Sequence, residues 1–99
     1  MSIIYHITTA EEWNTAQQKG FYESASLSAE GFIHCSLDNQ VDAVLERYFK
    51  EKKDLVKLVI DTSKLISKHV FDWSPSTADT FPHVYGPVNL DAVIEVITL

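Results

Sequence analysis

Val41, Val44, Leu45, Tyr48 and Phe49 recur at i, i+3, i+4, i+7 and i+8, the spacing of one apolar face of an α-helix. Asp42, Glu46, Lys50 and Lys53 fall on the far side as a solvated face, where Glu46 and Lys50 form a modest i,i+4 pair. A second helix is predicted over Ala10–Lys19. Thr8 or Thr9 suits its N-cap, Glu11 and Glu12 suit the positive end of its dipole, and Gly20 suits its exit. Its apolar stripe is only Ala10, Trp13 and Ala16, so Trp13 is expected to carry most of its packing. Between the helices, Phe21 to Ala29 is rich in Ser and Ala and reads as a connecting loop with a turn of helix at most, anchored by Leu27.

The remaining apolar runs have strand character. Ile3–Ile7 is short and β-rich, and alternation sets Ile3, Tyr5 and Ile7 against Ile4, His6 and Thr8. Leu55–Ile60 is nearly continuous, which predicts a central strand. Asp61–Ser63 turns the chain, Lys64–Ile66 fits a single helical turn, and His69–Trp73 alternates as a further strand before Ser74 and Pro75 end it. Ser76–Thr80 is polar loop. Phe81–Pro87 contains two prolines and is expected to be a short edge strand or an extended loop, while Ala92–Thr98 closes as a β-branched strand. Early helices followed by crowded strands predict an α+β fold, one compact domain over residues 1–99 with two main helices packed on a small, mostly antiparallel sheet.

One stretch concentrates chemistry. Along Glu30–Ser36, alternation places Phe32, His34 and Ser36 on one face and Ile33 and Cys35 on the other. Ser36 opens the helical pattern and so is expected to cap it, leaving His34 to face a cleft. Of the four histidines, His6, His34 and His83 sit in strand-like contexts next to hydroxyl or aromatic residues, whereas His69, at the start of its strand, lacks such neighbours and is expected at the surface. Any one of them alone is more simply a packed, hydrogen-bonded residue, whereas convergence of all three makes a site. No metal is expected, because adjacent His34 and Cys35 point to opposite faces and no familiar ligand spacing occurs. Cys35 is expected to be a buried thiol.

Composition narrows the ligand and the compartment. A formal charge of −6 disfavours a nucleic-acid partner bound through its phosphates, so any polyanion needs a local basic pocket. One cysteine allows no internal disulfide, no apolar run approaches a membrane span, and residues 1–6 lack a signal-peptide pattern; a cytoplasmic protein is expected.

Ile4–Thr8 with Trp13, Glu30–Ser36 with Gln40, and Phe81–Pro87 together resemble, in order and spacing, the bacterial family catalogued as domain of unknown function 952. That family is in turn similar to the ADP-ribosyltransferase fold, which includes the RNA 2′-phosphotransferases and uses NAD in a cleft between two small sheets. The resemblance implies a split sheet, NAD or an ADP-ribose-type nucleotide as the small-molecule partner, and transferase chemistry. It implies ligand contacts from His6, Thr8, Phe32 and Ser36, with His34 at or beside a position that other members fill with Tyr or His; the side-chain chemistry then suggests catalytic roles for His34 and His83, with Tyr85 completing the ligand pocket. The third motif departs from the pattern: His83 and Tyr85 stand where transferring enzymes usually place a glutamate, and Glu95 in the last strand is a poor substitute. Two other readings remain beside the enzyme. One is a non-catalytic module that binds an NAD-derived or phosphorylated ligand. In the other the histidines serve packing alone and a protein partner supplies the function.

Overall fold

The computed structural model describes residues 2–99. Its eleven regular elements begin with strand β1 (Ile3–Thr9), helix α1 (Ala10–Lys19), strand β2 (Phe21–Tyr22), helix α2 (Ala25–Glu30) and strand β3 (Ile33–His34). Helix α3 (Val41–Tyr48) and strands β4 (Leu55–Asp61), β5 (His69–Ser74), β6 (Asp79–Val84), β7 (Val88–Asn89) and β8 (Val93–Thr98) follow. The strands form three small antiparallel sheets, ordered β1-β4-β8, β2-β7 and β3-β6-β5. The architecture is therefore α+β. β4 is the middle strand of its sheet, as its continuous apolar run predicts.

The core forms where the sheets meet. Ile4, Ile33, Leu58, Ile60, Val84 and Val88 are fully buried, and each such side chain contributes roughly 1.5–3 kcal/mol when it leaves water. A smaller cluster of Ile7, Val41 and Leu55, joined by Tyr5, Leu45 and Phe49, seats α3 against the other face of the β1-β4 pair. The caps of α1 follow the sequence: Thr9 accepts from the Glu12 N–H at 3.1 Å, and Gly20 takes the left-handed conformation with φ 95°.

Several expectations are corrected. Phe21–Ala29 is not a plain loop, because it holds β2 and most of α2. Its anchor is Tyr22, buried in the core, while Leu27 is only partly buried. In α1, Ala16 is the buried residue and Trp13 packs partly exposed. Ser36 is not a helix cap. Leu37 remains extended and α3 starts at Val41, and the Gln40 side chain instead accepts from the Leu37 N–H at 2.9 Å. The single turn lies at Thr62–Lys64 rather than Lys64–Ile66, started by Asp61, whose carboxylate accepts from the N–H and hydroxyl of Ser63. β6 is a central strand, not an edge. Pro82 is tolerated there because its carbonyl, which accepts from Cys35 at 3.0 Å, and its missing N–H lie on the side where β3 has already ended.

Candidate functional site

β1 is an outer strand, and its free edge makes the site. At Tyr5 that edge is bridged by Ser36: the Tyr5 N–H donates to the Ser36 carbonyl at 2.8 Å, and the Ser36 N–H donates to the Tyr5 carbonyl at 2.7 Å. This bridge ties the first and third sheets together. Beside it a cleft of about 750 Å³ opens, lined by His6–Thr9 of β1, by Phe32 just before β3, by His34 and His83 of the third sheet, and by the C-terminal end of α3. Backbone groups alternate along a strand, so the N–H and carbonyl of Ile7 point to the same outer edge as those of Tyr5. Among the described residues neither has a backbone partner outside the sheet. The cleft floor therefore presents an open peptide edge.

Two imidazoles face each other across the β3-β6 pair. His34 and His83 are register partners whose ring centroids lie 5.3 Å apart and nearly perpendicular. His83 Nδ1 is 2.8 Å from the Asp72 carboxylate on β5, and the Tyr85 hydroxyl donates to the same oxygen. An acceptor at Nδ1 places a proton there and leaves Nε2 as the free basic nitrogen. Those bonds, Tyr85 first and His83 second, hold the Asp72 carboxyl below the usual carboxylate range, and the same carboxylate raises the Tyr85 phenol. Phe32 stacks on His83 at 4.1 Å with the rings 15° from parallel, which fixes the imidazole plane. His34 is more exposed, and its Nε2 meets Glu30 at the end of α2, 2.8 Å away. Each imidazole thus has one nitrogen on a carboxylate and one without a described partner.

His6 is different. Its Nδ1 sits 2.5 Å from the His34 carbonyl, which can only accept, so Nδ1 carries the proton. Nε2 then accepts from the Tyr22 hydroxyl at 2.7 Å. Both nitrogens are engaged inside the protein. Burial pushes the His6 pKa down to about 4 and raises the Tyr22 phenol, so at neutral pH both groups are uncharged. The pair pins β1, β2 and β3 together under the cleft. Beside it, the Thr8 hydroxyl donates to Glu12 at 2.9 Å and the Thr9 hydroxyl donates at 3.3 Å, bringing a carboxylate from α1 to the cleft wall.

Of the residues singled out from the sequence, His6, Thr8, Phe32, His34, Ser36 and His83 all line this one cleft. Tyr85 does not line it. It stands behind the wall, tilted against Phe32 at 5.5 Å and bonded to Asp72. Cys35 is buried and its thiol is pushed up to about 12 by burial, which removes it as a nucleophile near neutral pH. Among the described residues no three His, Cys, Asp or Glu side chains gather as a metal site. Sequence reasoning missed Glu12, Glu30 and Asp72. Glu12 was read only as a helix-dipole residue, although its spacing of four from Thr8 places them within reach across the strand–helix junction. Glu30 stands four residues before His34, a separation that has no meaning until the Gly31 turn, at φ 91°, folds α2 back on β3. Asp72 reaches His83 only through the β5-β6 pairing, where it sits diagonally beside its partner.

A family model described as "Protein of unknown function (DUF952)" matches residues 7–96. Crystal structures of CC0527 from Caulobacter crescentus match with 30% identity and a TM-score of 0.90, and for a double mutant with 29% identity and 0.89; each covers 99% of this chain and 86% of that one. The solution NMR structure of CC0527 gives 30% identity and a TM-score of 0.79, over 100% of this chain and 85% of that one. No curated protein is matched. With nearly its whole length covered, this chain belongs to the DUF952 family, whose members are described as proteins of unknown function.

Proposed function

We propose that the cleft is the active site of an enzyme of the ADP-ribosyltransferase-like superfamily that acts on NAD or a closely related nucleotide. The observation that carries this reading is the open peptide edge at Ile7 beside Phe32 and the two carboxylate-held imidazoles. A carboxamide offers one acceptor and one donor side by side, which is what the N–H and carbonyl of a free strand edge complement. Phe32 gives a flat apolar surface for an aromatic ring next to that edge.

The chemistry follows from the charges in the cleft. Breaking the bond between a ribose and the nicotinamide nitrogen sends the electron pair to the departing ring and builds positive charge on the sugar. The Glu12 carboxylate, fixed by the hydroxyls of Thr8 and Thr9, supplies the negative charge absent from the third sequence motif. Water or another acceptor then attacks the sugar and loses its proton to His83 Nε2, with Asp72 holding the imidazole in the tautomer this needs. His34 with Glu30 serves as a second proton carrier, and Ser36 offers a hydroxyl at the cleft wall. His6 acts by position, since neither of its nitrogens is free. No metal is required by these steps.

The test is to incubate the protein with NAD and measure released nicotinamide. Release that is lost in His83→Ala and Glu12→Gln supports the enzyme. Saturable NAD binding without any release assigns the cleft to a non-catalytic nucleotide-binding module instead. Absence of binding removes the nucleotide reading altogether.

A further inference from the structure

The chemistry above leaves part of the cleft lining unused. Trp73, at the end of β5, is 64% exposed, and Tyr48 on α3 is 57% exposed; both line the cleft, together with Phe49 and Phe81. An indole left that open contributes less to folding than a buried one and keeps a face free for a ligand. The Tyr48 ring is already covered by the Arg47 guanidinium at 5.5 Å, whereas no ring or cation stacks on Trp73 among the described residues. Trp73 is thus a vacant stacking surface. Lys52, from the segment between α3 and β4, also enters the lining, as a cation that makes no ion pair among the described residues. The other charged side chains of the lining are Glu12 and Glu30, whose carboxylates repel phosphates from their own part of the cleft.

We infer that the part of the cleft lined by Trp73 and Lys52 is a subsite for a nucleoside monophosphate group, with the base stacked on Trp73 and the phosphate held by Lys52. The inference rests on the nucleotide reading of the same cleft and adds where and how the non-reacting half of that ligand is held. A base offers the flat π-face that an open indole recognises regardless of base identity, and a single ammonium balances one phosphate better than a pyrophosphate. The subsite therefore favours AMP-like groups over longer polyphosphates and discriminates weakly among bases.

The experiment uses the Trp13→Phe protein, in which Trp73 is the sole indole emitter, titrated separately with AMP, adenosine and ribose 5-phosphate. AMP is expected to quench Trp73 saturably, adenosine to do so with weaker affinity, and ribose 5-phosphate to leave the emission unchanged. By calorimetry, Trp73→Ala in the otherwise natural chain is expected to weaken AMP binding by about tenfold or more. Lys52→Ala is expected to weaken AMP while leaving adenosine as it was. Unchanged emission with AMP, AMP bound equally by Trp73→Ala, or ribose 5-phosphate bound as tightly as AMP would each overturn the subsite. Both substitutions are at exposed positions, and far-ultraviolet circular dichroism checks that the fold is intact. The two readings fail separately. AMP behaving as expected with no nicotinamide released from NAD removes the reaction and keeps the subsite, whereas nicotinamide release with AMP silent at Trp73 does the reverse.

Discussion

Asp72 reaches the site only through other side chains, yet the behaviour of His83 depends on it. With the carboxylate at Nδ1, the neutral imidazole must offer Nε2 to the cleft; with an amide there, the tautomer is no longer fixed. Asp72→Asn is therefore expected to lower NAD turnover by on the order of 10²-fold with little change in substrate affinity, measured as kcat against KM. An equal loss in KM would make Asp72 a binding residue instead. His6 supplies a second prediction through its buried neutral ring. Its folded pKa of about 4 lies below the ordinary 6.5, so between those values the unfolded chain takes up a proton that the native one refuses. Stability then falls as the pH drops from about 6.5 to about 4, by up to roughly 3 kcal/mol, and is flat in this group's contribution above and below that window. Urea midpoints across that range measure the slope, which should become shallower in His6→Gln; an unaltered slope would show that His6 is not the group responsible. At this scale the sequence was informative about residue type and silent about partners. Phe32, His34 and His83 were legible because alternation and neighbouring residues mark them. Asp72, Glu12 and Glu30 were not, since a hydrogen bond across a sheet or a turn leaves no local signature.

Long periodic segments were readable and short ones were not. Helix α3 and strand β4 carry seven or eight residues of pattern each, and both lie where the pattern places them. β2 has two residues, too few for any period, and it holds Tyr22, whose hydroxyl is the partner of His6. That bond is what makes a two-residue strand matter. Tyr22→Phe keeps the ring packed but leaves His6 Nε2 buried without a donor, so it is expected to cost about 1–3 kcal/mol in chemical denaturation. A loss well below that would mean water replaces the hydroxyl. β6 teaches the opposite lesson about proline. Its two neighbours along the chain gave no hint that β3 is short enough to spare Pro82 a ladder bond, so the usual rule pointed to an edge.

For the whole molecule, the α+β class followed from element order, but the separation into three small sheets did not. The first and third sheets meet at the single bridge between Tyr5 and Ser36, and a one-residue contact is invisible to any periodicity. It is nevertheless what produces the cleft, because it joins two sheets at one point and leaves the rest of the β1 edge free. The net charge of −6 adds a constraint of its own: with Glu12 and Glu30 in the cleft lining, the proposed nucleotide ligand is expected to carry few phosphates. Among the described residues no helix is long and apolar enough to cross a membrane. The most direct test of the nucleotide cleft is an NMR titration of the imidazole nitrogens with NAD and, separately, with ADP-ribose. His34 and His83 should shift together and saturably, while His69, outside the cleft, stays in place and serves as the internal reference. If His34 and His83 do not move with either ligand, the cleft is not a nucleotide site.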